Sequence, residues 1–273
     1  MASFYLTLPS NTVNNGRTRP NTTSDFVTIL PKKLPLPGAG VGEWVVGLSE
    51  IHFPFSWNNV DDGGWRGSMI LIRSTYIGKL LTVRIPGGYY GTIQELMTAI
   101  HVAINRAIEK AGDEIPRSVR PEFHVKVFEG KVIITTKNIA NFKLSPKLQY
   151  TLGYSVDEGV MTLKGQKNAA MYPWDLSGGS SAMFIQADCV ENQVVGDSLA
   201  PLLRVVPLNP PSGVGYGQPI ALVFNTPHYI TVTKPELSSI EIKLLTDQGR
   251  PVFFNFGKSI VKLHFVRRSQ RLL

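Results

Sequence analysis

The chain has 273 residues, 43% of them hydrophobic, with 25 glycines, 19 prolines and a formal charge of +8. That much apolar material excludes a disordered or fibrous chain and suffices for one large core or two modest ones. The charge excess is +1 over residues 1–60, +4 over 61–175 and +3 over 176–273, so no segment is a polybasic arm, and a diffusely negative partner is permitted rather than required.

Glycine and proline punctuate the chain at short intervals, which favours many short strands joined by turns. Ser3–Leu8 alternates Phe4, Leu6 and Leu8 with Tyr5 and Thr7, the period of a strand, and Pro9 ends it. Ser24–Leu30 repeats the pattern until Pro31. Glu43–Phe55 is a longer apolar strand, followed by a turn-rich loop around Asp61-Asp62-Gly63-Gly64.

Met69–Ile77 and Lys79–Ile85 read as two strands around Gly78, before Pro86-Gly87-Gly88. Thr92 and Glu95 have capping-box spacing, and Ile93, Leu96, Met97, Ile100, Ile104, Ala107, Ile108 and Ala111 recur at helical steps up to Gly112, predicting one helix over about 92–111. Its apolar stripe needs a sheet to cover. Phe123–Phe128 and Lys131–Thr136 predict a hairpin turning at Glu129-Gly130, and Phe142–Leu144 and Leu148–Tyr154 read as the last strands of this block. The strand rhythm then returns in Met183–Val190, Ala200–Val206, Ile220–Val232, Ser239–Leu245 and Ser259–Val266. Five strands here and the three within residues 1–60 predict a mainly β, two-sheet antiparallel sandwich from residues 1–60 and 176–273, with 61–175 as an inserted α+β subdomain.

Chemistry-bearing patterns are sparse. Cys189 is the single cysteine and sits in an apolar strand, which excludes a disulfide framework or multi-cysteine zinc site and reads as a small buried hydrophobe. His52, His101, His124, His228 and His264 form no metal-ligand spacing. Gly213-Val214-Gly215-Tyr216-Gly217 lacks the following helix a phosphate loop needs, and Asp61-Asp62 reads as a solvated turn. No nucleophile elbow, metal motif or cofactor signature is present, so the chain is expected to bind or build rather than to catalyse. No apolar run is long enough for a membrane span, and Met1–Ser10 lacks a signal peptide's basic region, so synthesis in a reducing cytosol or nucleus is expected. The densest basic cluster is Arg267-Arg268-Ser269-Gln270-Arg271. It reads either as a solvated tail or as a contact to nucleic-acid phosphate.

The run from Ala187 to Arg204, with Cys189-Val190-Glu191-Asn192-Gln193-Val194-Val195-Gly196-Asp197 at its centre, resembles the minor capsid, or penton, proteins of Polinton (Maverick) elements and the related adintoviruses. Ser3–Ser10, Glu43–Ile51, Ile85-Pro86-Gly87-Gly88-Tyr89-Tyr90 and Gly257–Arg268 resemble the same family, so the resemblance spans nearly the whole chain. It implies a single jelly roll that forms homopentamers at icosahedral vertices of a virion and meets a double jelly-roll major capsid protein. It also implies that Ser3–Leu8 lies beside Ser259–Val266. The block 61–175 would then be an insertion between the fourth and fifth strands or part of their connection, or its own strands would form a second small barrel.

Candidate subunit-interface residues are Phe53, Phe55, Trp57, Tyr172, Trp174, His228 and Tyr229, in aromatic and proline-rich segments that either mark a contact surface or cap the sandwich core. If they form an interface, Trp57→Ala or Trp174→Ala leaves a folded monomer that cannot assemble. Arg267, Arg268 and Arg271 form a candidate DNA-facing tail with weak, non-specific contacts. The rival reading is a jelly-roll receptor- or carbohydrate-binding module.

Overall fold

The computed structural model describes residues 2–13, 16, 18–39, 43–61, 67–75, 80–111, 117–155, 162–163, 167–178 and 181–268. The chain opens with β1 (Ser3–Pro9), β2 (Asp25–Pro35) and β3 (Trp44–Pro54). A second group follows: β4 (Met69–Ser74), β5 (Leu80–Arg84), α1 (Ile93–Ala111), β6 (Glu122–Phe128), β7 (Lys131–Lys137), β8 (Ile139–Leu144), α2 (Pro146–Leu152), β9 (Thr162–Leu163) and β10 (Lys167–Ala169). The chain closes with β11 (Ala182–Ala187), β12 (Gln193–Val195), β13 (Ser198–Ala200), β14 (Leu202–Pro207), β15 (Pro219–Val223), β16 (Ile230–Thr231), β17 (Glu236–Thr246) and β18 (Ile260–Arg267). Two units result, Met1–Trp57 with Ser180–Leu273, and Asn58–Gly179.

In the first unit one sheet runs β1-β18-β3-β15, with β16 also on β3, and the other runs β14-β11-β17-β2. Leaving aside the two-residue β16, successive strands of the other eight change sheet at every step except β11 to β14, and all their pairings are antiparallel, which makes the unit jelly-roll-like. The first and last strands pair directly, Phe4 opposite Phe265, Leu6 opposite Leu263 and Leu8 opposite Val261. Period-two alternation sends Ile240, Ile242 and Leu244 of β17 inward to meet Met183, Ile185 and Ala187 of β11, while Leu48, Ile51, Val261, Leu263 and Phe265 fill the core from the other sheet. Cys189 is fully buried among them, and burial pushes its thiol pKa up to about 12, so it packs as an apolar group.

Several boundaries differ from the sequence reading. The residues between the unit's two segments leave after β3 and return at β11, so they fall between the third and fourth of its eight strands, not the fourth and fifth. Ile220–Val232 is broken at Asn225-Thr226-Pro227 into β15 and the short β16, because proline cannot donate to the ladder on β3. Pro201 likewise separates β14 from β13, and Ala200 belongs to the β12–β13 hairpin, an element that the alternation did not reveal.

In the second unit the sheets run β5-β4-β8-β9 and β10-β7-β6. Helix α1 buries Ile93, Leu96, Ile100, Ile104 and Ile108 in this unit's core with Ile70, Ile72, Val83, Phe123, Val125 and Phe142. At about 1.5 Å per residue the helix is roughly 30 Å long. Its start is fixed by Thr92 Oγ1, which accepts from Glu95 N at 3.2 Å, and by Glu95 Oε2, which accepts from Gly91 N at 2.8 Å. Leu148–Tyr154 is not a strand. Pro146 sits in the first turn after Ser145, and Gly153 closes α2 in the left-handed region at φ 80°, so a proline start and a glycine stop override the alternating Leu148, Tyr150, Leu152 and Tyr154. The turn around Gly78 lies outside the described residues.

One backbone donor on the free edge of β6 is met from the helix: Val125 N donates to His101 Nε2 at 3.1 Å. That nitrogen accepts only in the neutral ring, and burial, followed by the nearby His124, pushes the His101 pKa down. A folded pKa below the unfolded value means that the unfolded chain takes up the proton first, so this hydrogen bond contributes its full stability above the unfolded value of about 6.5 and is lost as pH falls through the lower folded pKa. Hydrogen-exchange protection of the Val125 amide, corrected for the intrinsic rate, should drop between pH 7 and pH 5 and should not drop in His101→Gln, whose amide oxygen accepts without titrating.

Candidate assembly surfaces

Phe53, Phe55 and Trp57 are core residues, 1%, 2% and 8% exposed, and therefore do not form the contact patch that the sequence allowed. The Phe55 and Trp57 rings lie 4.7 Å apart, and Phe254 stands 6.3 Å from Phe53 and 6.2 Å from Trp57. The aromatic side chains left outside are Tyr216, Phe253 and Phe256, of which Tyr216 meets Phe55 at 5.6 Å and Phe256 at 6.0 Å, both edge-on. Sequence reasoning took the wrong members of this cluster because burial depends on which loops fold over the sheet end.

The polar face of the β1-β18-β3-β15 sheet carries a connected group. Tyr5 and His264 are cross-strand partners, and their rings stack at 4.3 Å with a 10° tilt. Tyr229 Oη lies 2.8 Å from His264 Nδ1, and Lys262 Nζ is 5.6 Å from the Tyr5 ring centre and 3.3 Å from Glu50 Oε2. His52 hydrogen-bonds Glu50, and this contact, followed by that of Lys262, holds the Glu50 carboxyl below the usual carboxylate range. Beside them, Val223 and Phe224 complete a shallow groove of about 380 Å³, and Arg204 stands 3.9 Å over the Phe224 ring. Tyr229 and exposed His228 are held there by a close approach: a Cβ on Gly47 would come within 2.7 Å of Pro227 Cβ and 2.8 Å of the His228 carbonyl, so only glycine lets the segment cross β3. Tyr5, Glu50, Lys262 and His264 were missed in the sequence. Their signal was the polar half of the alternation, which gains meaning only through strand register.

Apolar side chains also point outward from this unit. Val194 and Leu199 are opposite each other on the β12–β13 hairpin and are 78% and 68% exposed. On the β14-β11-β17-β2 sheet, Phe184 is flanked by Val205 and Leu245 in a row on the outer face. A paired apolar tip and an apolar row of this kind mark contact surfaces more strongly than scattered single residues do.

Tyr172 and Trp174 are in the second unit, 51% and 36% exposed, where Tyr172 N donates to the Gly153 carbonyl at 2.9 Å beside the end of α2. Of the basic tail, Arg267 ends β18 and pairs with Glu43 at 3.1 Å, and Arg268 is exposed with its amide bonded to the Glu43 carbonyl at 2.7 Å. Arg271 lies outside the described residues. Among the described residues no three His, Cys, Asp or Glu side chains are grouped to hold a metal ion, and no helix is long and apolar enough to cross a membrane.

No family model and no curated protein matches the sequence. Among solved structures, that of selenomethionine-labelled mavirus penton protein is similar, with a TM-score of 0.50 and 12% sequence identity, covering 98% of this chain and 100% of that one. At that identity the likeness is one of fold, and the chain shares the penton-like fold along essentially its whole length.

Proposed function

We infer that the chain is a penton, the minor capsid protein of a Polinton-like or adintovirus-like particle, and that its first unit is a single jelly roll. The observation that carries the reading is the likeness to the mavirus penton protein over both chains in full. The strand orders β1-β18-β3-β15 and β14-β11-β17-β2 support it. The protein acts by assembly: five copies close a ring at an icosahedral vertex, and the surrounding major capsid protein holds the ring in the shell of the virion. A closed ring needs heterologous contacts, in which two different patches on each copy complement one another. The polar aromatic face with Tyr5, His228 and Tyr229, and the apolar hairpin tip with Val194 and Leu199, are two such patches. Tyr172 and Trp174 supply further contacts.

The test is the mass of the purified chain by light scattering across concentration. A species of five copies is expected. A chain that stays monomeric at high concentration and binds glycans overturns the reading in favour of a carbohydrate- or receptor-binding module.

The C-terminal arginines face the packaged DNA. Glu43 already neutralises Arg267, so Arg268 and Arg271 carry the contact. Removing residues 268–273 should flatten the salt dependence of DNA retention by about two in the log–log slope, near 0.9 for each phosphate that is no longer neutralised. An unchanged slope removes the tail from any DNA role.

A further inference from the structure

The two sheets of the second unit present edges to α1 in different ways. On the β6 edge His101 meets the Val125 N–H, whereas β5 stands at the end of its sheet order with neither a strand beyond it nor a backbone partner on its outer side among the described residues. Ile85 N donates to the Ser68 carbonyl, so the alternation of antiparallel bonding turns Val83 and Leu81 toward β4 and aims the N–H and C=O groups of Leu80, Thr82 and Arg84 away from it. Folded proteins usually blunt or cover an edge of this kind, because a row of unpaired backbone groups invites another strand.

Along this edge, β5 and α1 frame a groove of about 970 Å³. Its helical wall is the stripe Ala99, Val102, Ala103 and Ala107, whose short side chains let a backbone approach closely, and Val102 is 42% exposed. Arg84, Arg106 and Lys110 also line it, and none has an ion-pair partner among the described residues. The one carboxylate in the lining, Glu95, is already engaged as an acceptor from Gly91 N at 2.8 Å. Backbone donors and acceptors in a row, an apolar floor for alternate side chains, and three uncompensated cations together describe a receptor for an extended chain.

The geometry points to strand addition: an extended, acidic segment of a partner protein pairs with β5 as a fifth strand of that sheet and lies along α1. Its backbone bonds Leu80, Thr82 and Arg84, every second side chain rests on Ala99, Val102 and Ala103, acidic side chains between them turn to the opposite face toward Arg84, and an acidic end of the segment meets Arg106 and Lys110. The free length of β5, five residues, is about 17 Å at 3.3–3.4 Å per residue, so the recognised segment is short. Nothing in this assignment depends on pentamer formation.

The probes are synthetic peptides added to the full chain: acetyl-Glu-Val-Glu-Val-Glu-Val-Glu-amide, its lysine counterpart, and an acidic version methylated on alternate backbone nitrogens. The acidic peptide should bind at least tenfold more tightly than the lysine peptide, the methylated version should lose at least tenfold, and hydrogen exchange should slow at Thr82 and Arg84. Thr82→Pro, which removes an outward N–H and leaves the β4 bonds intact, should weaken binding about tenfold. The double charge reversal Arg106→Glu with Lys110→Glu, at exposed positions, should favour the lysine peptide and serves if the proline variant fails to fold. Equal binding of acidic and lysine peptides, undiminished binding of the methylated peptide, or protection that avoids β5 each overturns the proposal.

Discussion

Trp57→Ala should cost the first unit about 3–5 kcal/mol of folding stability, enough to unfold a domain of ordinary marginal stability, instead of yielding a sound monomer that cannot assemble. The indole is 8% exposed and touches Phe53, Phe55 and Phe254, so truncation opens a cavity among these closely packed rings. Phe53→Ala should behave alike, since that ring is 1% exposed and its strand, β3, is the central element of its sheet. Trp174→Ala is the control. Its side chain is 36% exposed, and surface truncations usually stay within about 0.5 kcal/mol. Urea unfolding of the three variants decides the matter. If Trp57→Ala keeps the parent midpoint and loses only its oligomers, the indole is an interface residue after all.

The strands were legible where local pattern and tertiary environment agree. Phe4, Leu6 and Leu8 alternate because β1 has one buried and one open face, and the five isoleucines and leucines of α1 face one core at helical spacing. Legibility failed where a few residues carry the decision. Leu148–Tyr154 alternates like a strand, yet Pro146 and Gly153 make it a helix, and the β12–β13 hairpin is only three residues on each side. The candidate surfaces were less legible still. Phe53, Phe55 and Trp57 look like any exposed aromatic run until loops fold over them. Tyr5 and His264 are 259 positions apart in sequence and meet only because the first strand pairs with the last. Which side of a strand is outward can be read locally, but which outward residues become neighbours cannot.

The paired hairpin tip gives the sharpest handle on assembly. Replacing Val194 and Leu199 together by Ser should leave the monomer folded, because side chains 78% and 68% exposed contribute little to the core, and the unfolding midpoint should move by no more than a surface change does, about 0.5 kcal/mol. If the tip inserts into the next copy of a ring, each subunit junction forfeits roughly 2–4 kcal/mol of apolar burial, counting about 1.5–3 for each fully buried Val or Leu less what partial burial leaves. A tenfold change in affinity corresponds to about 1.4 kcal/mol, so association at each junction should weaken by roughly 30- to 1,000-fold. Every copy in a ring uses the junction twice, once with each neighbour, so the variant should run as a monomer in light scattering at concentrations where the parent chain is oligomeric. Oligomers that persist undiminished in the variant would take the hairpin out of the proposed ring interface and leave the polar aromatic face with Tyr5 and Tyr229 and the outer row of Phe184, Val205 and Leu245 as the candidate contact surfaces.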